Sequence, residues 1–376
     1  MSGGIDLVEH FKDVEDPRVT GRTAHQLVDI IVIGICAVIC HAETWVDVEE
    51  FGKAKEEWLR SFLELPNGIP SHDTFGRVFG QLDPTEFRKG FLSWVRSVQE
   101  VTQGDIVAID GKTARRTHDR ASGRGALHMI SAWSTANQLV LGQRKVGEET
   151  NELGALPDLL QILELEGCIV TIDAIACQES VAKDLRARGA DYVLAVKANQ
   201  PKLLDRTQKA VAAVLGAPEN IDHDHHRSVE KDHGRVELRE CWVVSDPEYL
   251  RWVDPDRAWQ DLRSLILISA ERRQGDRVQR SERFYISSLG SGAADHARAI
   301  RAHWEVENSL HWVLDVSCGN DAIRVRTGNA AENLTVLQHL AVSMVKQEKT
   351  SKRSVNGKRL RAGWDNDYLR RVIDAV

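Results

Sequence analysis

The order of strand-like and helix-like segments between residues 105 and 215 restricts the fold more than any other feature of the sequence. Three apolar segments of strand length come first, and the turn at Asn137 predicts that the last two pair as a hairpin: 105–110, 127–133 and 138–142. Helices and strands then alternate, with helices predicted over about 151–165, 178–188 and 200–215 and strands over 168–173 and 191–196. Few topologies place a three-strand meander before alternating helices and strands.

That order is typical of the RNase H-like fold, in which a mixed sheet carries helices on both faces. Residues 223–289 differ, because strand-like segments with polar turns follow one another there without a strong helical period. Helical periodicity returns over 293–316 and 329–347. The predicted fold class is therefore α/β: an RNase H-like mixed sheet with helices on both faces, interrupted by a mostly β insertion and preceded by an α-helical N-terminal domain.

Five segments are predicted along the chain, and their boundaries lie where the hydrophobic pattern changes. They are a helical N-terminal domain (1–100), the first part of the core (101–222), the β-rich insertion (223–289), the second part of the core (290–348) and a basic C-terminal tail (349–376). The Lys-, Arg- and Gly-rich part of the tail, 349–363, is expected to be mobile or bound to a polyanion.

Composition favours a soluble globular protein, since 42% of the 376 residues are hydrophobic and 28% are charged. The longest apolar run, Ile30 to Cys40, is shorter than the roughly 20 residues that span a bilayer. The N-terminus lacks the features of a signal peptide, and we therefore expect a cytoplasmic protein with no membrane partner. The six cysteines form no CxxC pair and are expected to be reduced thiols.

The formal net charge of −7 at first argues against a nucleic-acid partner. Residues 1–100, however, hold 10 Lys and Arg against 17 Asp and Glu, so the acidic surplus lies entirely in this part of the chain. The remaining residues are neutral overall, and from Lys346 to Arg371 the chain is basic. Because local patches decide whether a polyanion binds, the total charge does not exclude DNA.

Two aspartates, Asp110 and Asp173, each end a buried apolar run. Carboxylates at the ends of strands in an open α/β sheet lie at the rim where ligands bind. If the two strands are neighbours, the carboxylates converge, and they repel each other unless a cation lies between them or one is protonated. Mg²⁺ or Mn²⁺ suits such oxygen ligands. For either residue alone, an ordinary turn-forming role is the simpler interpretation.

A third acid is needed to complete a site for two metal ions, and the predicted helix 293–316 offers one. Glu307 shares a helix face with His303 and His311, at spacings of four residues. Glu305 is the rival acid, but it points about 160° away if Glu307 faces the sheet.

At this point the sequence resembles the DDE transposases of bacterial insertion sequences, specifically the H-repeat-associated group. The resemblance runs in order along nearly the whole chain. It rests on these segments: Asp16-Pro17-Arg18, Ala42-Glu43-Thr44-Trp45, Pro70 to Phe75, Ala108 to Thr113, Leu127-His128-Met129, Asn151-Glu152, Thr171 to Ala174, Asp191 to Lys197, Tyr285 to Leu289, His303-Trp304, Glu307-Asn308, Leu310 to Asp315 and Asn329-Ala330-Ala331.

The resemblance implies that Asp110, Asp173 and Glu307 are the catalytic, metal-binding triad. It implies two Mg²⁺ or Mn²⁺ ions per active site and no small-molecule cofactor. The implied reaction is two-metal phosphoryl transfer, in which double-stranded DNA is cleaved at transposon ends and joined to target DNA. By analogy, the protein is expected to act as a homodimer when bound to DNA, in the bacterial cytoplasm at the nucleoid.

Seven basic residues are candidates for contacts with DNA phosphates, although each could equally be an ordinary surface cation: Lys112, Arg115, Arg116, Lys197, Arg301, Arg324 and Arg326. Related transposases often place Arg four residues before the Glu and Lys seven after it. This chain has His303 and Leu314 there, and it has Asn320 where the group usually has an acid.

Other interpretations stay open at this point. The chain could be a catalytically weakened DNA-binding protein derived from a transposase, or another RNase H-like nuclease such as a junction resolvase. The N-terminal domain could bind the DNA ends or serve assembly. Asp222 to His226 resembles a metal-binding cluster, but we predict a surface loop there without a metal.

Overall fold

The computed structural model describes residues 6–19, 21, 23–100, 103–118, 125–147, 151–232, 235–290 and 292–374. Its helices are α1 (Asp6–Phe11), α2 (Leu27–Ile39), α3 (Trp45–Ala54), α4 (Glu56–Leu59), α5 (His72–Gln81), α6 (Pro84–Val98), α7 (Glu152–Leu160), α8 (Glu179–Ala187), α9 (Pro201–Gly216), α10 (Pro247–Val253), α11 (Ala293–His303), α12 (Trp312–Cys318), α13 (Ala330–Gln347), α14 (Val355–Trp364) and α15 (Asn366–Ile373). Its strands are β1 (Ile106–Ala114), β2 (Leu127–Ser134), β3 (Leu139–Lys145), β4 (Ile169–Ile172), β5 (Asp191–Val196), β6 (His223–Asp232), β7 (Arg235–Val244), β8 (Ser264–Gln274) and β9 (Arg277–Ser287).

The chain divides into two compact units, and strand β1 contributes residues to both. The first unit comprises Met1–Glu100, Gly111–Leu159 and Glu307–Val376, and the second comprises Val101–Asp110 and Leu160–Val306.

Strand order defines the fold class. The order is β3-β2-β1 in the first unit and β1-β4-β5-β9-β8-β7-β6 in the second. Strands β2 and β3 are antiparallel, whereas β4 pairs in parallel with both β1 and β5. A three-strand meander followed by two parallel strands is the order of the RNase H-like fold, so the predicted α/β class with a mixed sheet is confirmed.

The strands of the predicted insertion extend the sheet of the second unit. Strand β9 pairs antiparallel with β5, with Val193 opposite Ser287. Without this partner β5 would be an exposed edge, and exposed edges are prone to unwanted pairing. Helix α11 covers one face of these strands, because Ala299, Ile300 and Ala302 pack with residues of β4, β5, β7, β8 and β9 in a single apolar cluster.

The first unit has a helical core built around α2, in which every residue except Val28 is buried. Helix α13 contacts α2, α5 and α6. The ends of these helices follow the capping signals in the sequence: the Ser71 side chain accepts a hydrogen bond from Thr74 N–H, and Asp83 caps α6 ahead of Pro84. Among the described residues, none of the helices combines the length and the apolar character that a membrane crossing requires.

Two sequence expectations are wrong. The mobility expected of 349–363 is wrong for the part from Val355 onward, which lies in α14, where the Arg359 side chain is fully buried and donates to the Val38 carbonyl at 2.7 Å, whereas binding of this segment to a polyanion stays a prediction. The charge pattern did not predict this burial, because the burial depends on a carbonyl acceptor from another helix that the basic side chain meets only in the folded protein. His223 to His226 lie in strand β6 rather than in a loop, where His225 stacks on Trp242 with 3.9 Å between ring centroids.

Candidate catalytic site

The two predicted aspartates lie at the same edge of the sheet in the second unit. Strands β1 and β4 are parallel neighbours, and their last paired residues are Ile109 and Ile172. Asp110 and Asp173 come directly after this pair, at the carboxyl side of strands that are about 4.8 Å apart. The two strands are therefore neighbours, which is the condition under which the two carboxylates are expected to converge, and the role of both aspartates stays a prediction.

A lysine ammonium already compensates the charge of Asp173. Lys197 Nζ, which follows β5, donates to Asp173 Oδ1 at 2.8 Å. Partial burial raises the pKa of Asp173, but the hydrogen bonds from Lys197 and from Ala174 N–H, together with the charge of Lys197, outweigh that effect, and the pKa is lowered overall. Asp173 is therefore ionised at neutral pH, as a cation ligand must be.

His303 stands at the end of α11, where related transposases often have Arg, and it holds that helix against β4. Its Nδ1 lies 3.1 Å from the hydroxyl of Thr171, two residues before Asp173. Burial lowers the pKa of His303, so the ring is neutral near pH 7. In place of a cationic contact, this chain has a neutral imidazole that fixes the helix next to an aspartate-bearing strand.

Glu307 belongs to the first unit and begins a π-helical turn, Glu307–His311, between α11 and α12. Its side chain is exposed. π-Helical turns widen a helix locally and often occur at functional sites. The predicted helix 293–316 is therefore present but interrupted: α11 ends at His303, and the π-helical turn begins at the predicted acid, Glu307.

At least four of the seven candidate DNA-binding cations are engaged with carboxylates. Within the first unit, Lys112 pairs with Asp315 at 2.6 Å and Arg115 with Asp321 at 3.4 Å. Within the second, Lys197 binds Asp173, and Arg301 approaches Glu230 at 3.3 Å. The side chains of Arg116 and Arg324 are exposed; that of Arg326 is exposed as well and takes part in an interaction within the protein.

Arg324 and Arg326 line a cavity of about 950 Å³ in the first unit, together with Arg77 from α5. The indole of Trp45 forms part of its wall. Asn320, which replaces the usual acid, precedes Arg324 and Arg326 in the sequence. Its side chain is buried and donates to Gln338 Oε1 at 2.7 Å. Because this Asn is satisfied by a neutral amide, it serves packing at this position.

The sequence reasoning missed a hydrogen-bonded chain in the first unit, directly after Asp110. The Thr113 hydroxyl lies 2.7 Å from His128 Nδ1, and His128 Nε2 lies 2.8 Å from Glu152 Oε1. Gly111 leaves room for it, because a Cβ there would lie 2.0 Å from Glu152 Oε1. His128 and Glu152 stand in segments that the resemblance had singled out, but spacing alone gave no sign that they meet.

Replacing Gly111 with alanine is expected to destabilise the protein. The new methyl group overlaps the Glu152 carboxylate, and overpacking of this kind costs about 1–3 kcal/mol of the free energy of unfolding. Urea denaturation measures the change. Gly216→Ala is the matched control, since nothing lies within 4 Å of a Cβ at that position. Combining Gly111→Ala with Glu152→Ala should relieve most of the clash and leave only the contact with His128 Nε2 at 2.9 Å, so fully additive costs in the double variant would contradict this explanation.

The residues at the sheet edge suit a hard divalent cation. Carboxylate oxygens are the ligands that Mg²⁺ and Mn²⁺ prefer, and the ammonium of Lys197 marks where positive charge is needed. Within the described part of the chain, no group of three or more His, Cys, Asp and Glu side chains is arranged to hold a metal ion. The chemistry of the two aspartates is compatible with a divalent cation, and all three ligands, Asp110, Asp173 and Glu307, stay predictions.

Comparison with protein families decides what kind of protein this is. A DDE_Tnp_1-associated model matches residues 8–95, and a transposase DDE domain model matches residues 102–344. The chain belongs to the DDE transposase family. It is 38% identical over 371 residues to the "H repeat-associated putative transposase YhhI" of Escherichia coli K12, with 98% of this chain and 97% of the relative covered. The resemblance to the H-repeat-associated group is thereby confirmed.

A second relative also covers nearly the whole chain. The "Putative transposase YncI" of Escherichia coli O157:H7 is 38% identical over 372 residues, which cover 98% of this chain and 94% of that protein. Among solved structures, a piggyBac transposase synaptic complex with hairpin DNA aligns with a TM-score of 0.43 and 10% identity, covering 98% of this chain and 78% of the other.

Proposed function

We propose that this DDE transposase cleaves DNA at transposon ends in a metal-dependent reaction and transfers the freed strand into target DNA. The observation that carries the proposal is the position of Asp110 and Asp173 directly after Ile109 and Ile172, the last paired residues of two parallel strands, although β1 itself continues to Ala114. The ionised state of Asp173 and its ammonium partner support it. Membership of the family gives the reaction class.

Asp110, Asp173 and Glu307 are the residues that would hold the ions. Two Mg²⁺ or Mn²⁺ ions, when bound, supply positive charge for the phosphodiester transition state. Lys197 balances Asp173 when no divalent ion is present. If Asp173 held such an ion, the Lys197 ammonium would be placed to bind a DNA phosphate.

The reaction consists of two displacements at phosphorus. In cleavage, a water oxygen bonds to phosphorus at the transposon end and the bond to the 3′ oxygen breaks, which leaves a 3′-hydroxyl. In strand transfer, that hydroxyl bonds to a target phosphorus and the corresponding target bond to a 3′ oxygen breaks. The number of phosphodiester bonds is conserved in the second step, which therefore needs no external energy source.

Contacts with the DNA backbone are assigned to exposed cations. Arg324 and Arg326, with Arg77 on the same cavity, offer three guanidinium groups to phosphates. Arg116 adds an exposed cation near the end of β1. We further infer that residues 1–100 bind transposon ends or mediate assembly, that a homodimer holds two ends, and that the protein acts on nucleoid DNA in the bacterial cytoplasm.

The test is cleavage of a duplex that carries the terminal inverted repeats found in the DNA flanking the gene. We expect nicking with Mg²⁺ or Mn²⁺ and none with a chelator. Glu307→Gln should abolish nicking, whereas Glu305→Gln, which changes the rival acid two residues earlier, should leave it intact. DNA binding without cleavage under either ion would contradict the proposal and favour a non-catalytic DNA-binding protein. Selective cutting of four-way junctions would favour a resolvase.

A further inference from the structure

The outer halves of strands β6 to β9 project beyond the core of the second unit as an antiparallel ribbon rich in arginine. The side chains of β8 from Arg272 onward and of β9 as far as Arg283 are exposed. Side chains alternate between the two faces of a sheet, and directly paired residues share a face. The register therefore assigns each arginine to one face or the other.

Five arginines share one face, which we call the arginine face: Arg235, Arg239, Arg272, Arg277 and Arg283. Glu237 pairs with Arg272, and Arg235 pairs with Gln274, which in turn pairs with Arg277. Arg239 lies on the same face as Arg235 of β7, and Arg283 on the same face as Arg277 of β9, because the members of each pair lie an even number of positions apart along their strand. The opposite face carries its own arginines, Arg227, Arg273 and Arg280.

The arginine face continues the surface that α11 covers. Arg283 pairs with Ile268, which packs with α11 in the apolar cluster. The guanidinium of Arg283 lies over the indole of Trp304 at 4.3 Å, directly after His303. Arg301 of α11 reaches Glu230 on the same face at 3.3 Å. The arginine face therefore begins beside α11, the helix whose His303 contacts Thr171 of β4, two residues before Asp173.

Tyr285 ties the inner end of this face to the candidate catalytic site. It stands two residues after Arg283 on β9 and packs in the same cluster as Ala174, the residue that follows Asp173. Along a strand, the distance from Tyr285 to Arg277 is about 27 Å, at about 3.4 Å per residue. The same length corresponds to about eight base pairs of duplex DNA.

Charge on this face favours a polyanion. The five arginines and Arg301 give six positive charges, against Glu230 and Glu237 among the described side chains of the same face. Arg239 pairs with both carboxylates, Glu230 at 3.1 Å and Glu237 at 2.6 Å, so six positive charges against two negative ones leave a net charge of +4 among these side chains. Arg272, Arg277 and Arg283 are exposed at the positions farther along the ribbon.

We propose that the arginine face binds the DNA backbone next to the cleaved phosphodiester, over about eight base pairs. This inference rests on the proposed function, because it assigns the path of the DNA that the catalytic site would cut. Guanidinium groups bind phosphates bidentately and independently of sequence. The face therefore contributes affinity and alignment, and it does not read bases.

The experiment compares two triple variants of the full chain with the same change in charge. One replaces Arg272, Arg277 and Arg283 with Gln on the arginine face; the other replaces Arg227, Arg273 and Arg280 with Gln on the opposite face. Binding to a terminal-repeat duplex is measured by fluorescence anisotropy between 50 and 300 mM salt, roughly the range where phosphate contacts dominate, without divalent metal. Thermal unfolding checks that both variants are folded.

We expect the arginine-face triple to weaken binding at least about 10-fold at 0.1 M salt and to lower the salt-dependence slope by about 2–3. The opposite-face triple should bind within about twofold of the wild type, as expected for residues that touch no phosphate. Equal losses in both triples, or no loss in either, would overturn the inference. If the arginine-face triple variant does not fold, the single variant Arg277→Gln must lower the salt-dependence slope of DNA binding by about 1.

The outcomes separate this inference from the proposed function. A wild-type protein that neither binds nor cleaves the terminal-repeat duplex overturns both. A wild-type protein that binds and cleaves, while the arginine-face triple behaves in the same way, overturns only the DNA path assigned here.

Discussion

Asp173→Asn is expected to reduce DNA cleavage by about 10³-fold or more, while leaving DNA binding intact. The substitution keeps the size of the side chain but removes its negative charge, so the sheet edge loses half of its aspartate pair. A metal ion contributes several kcal/mol of transition-state stabilisation, and each 1.36 kcal/mol corresponds to a factor of about ten in rate. Single-turnover cleavage of a terminal-repeat duplex with Mg²⁺ measures the loss.

Asp205→Asn is the matched control for this prediction. Asp205 is an exposed carboxylate on α9 that is paired with Lys209 at 2.7 Å, in the same unit as Asp173. Its replacement removes the same charge away from the sheet edge, and the cleavage rate should stay within about twofold, as for most surface substitutions. An Asp173→Asn protein that cleaves within tenfold of the wild type would show that this carboxylate is not a required ligand.

The neighbouring position of Asp110 and Asp173 could be predicted because it depends only on strand order. Each aspartate ends an apolar run, and the alternation of helices and strands makes those runs parallel neighbours. No side-chain detail enters that argument. The same holds for helices such as α8, α9 and α13, whose periodicity is strong and whose bounds agree with the predicted ranges within a few residues.

Contacts between distant parts of the chain could not be predicted in the same way. The hydrogen bond from Thr171 to His303 joins residues 132 positions apart, and the chain Thr113–His128–Glu152 joins three separate elements. Each of these residues has an ordinary structural role by itself. Only the packing of the elements, which a single sequence does not encode as a local pattern, brings them within hydrogen-bonding distance.

The burial of the basic C-terminal segment in α14 could not be predicted, for a related reason. Charge patterning treats Arg and Lys as exposed, but Arg359 is fully buried and Lys358 nearly so. Burial of these side chains depends on acceptors supplied from elsewhere, such as the Val38 carbonyl for Arg359. A rule based on composition fails wherever the fold provides a buried partner for a charge.

Arg88→Ala is expected to lower the free energy of unfolding by about 3 kcal/mol, at the lower end of the 3–5 kcal/mol typical of a broken buried ion pair. Arg88 of α6 binds Glu332 of α13 at 2.6 Å, and their side chains are only 10% and 9% exposed. Removing Arg88 leaves a buried carboxylate without its main partner. Arg144 should limit this loss of stability, because its guanidinium also attracts the Glu332 carboxylate and remains when Arg88 is removed.

The controls for Arg88→Ala separate burial from charge. Arg60→Ala breaks an exposed pair with Glu56 four residues away on the chain, at 2.7 Å, and a hydrogen bond to the Leu65 carbonyl at 3.0 Å, and together these should cost no more than about 1.5 kcal/mol in urea denaturation. The double variant Arg88→Met with Glu332→Leu should recover most of the loss, since replacing both members of a buried pair by apolar residues is often close to neutral. If Arg88→Ala costs no more than Arg60→Ala, then the pair does not hold α6 to α13, and the stability of this helix contact must come from apolar packing alone.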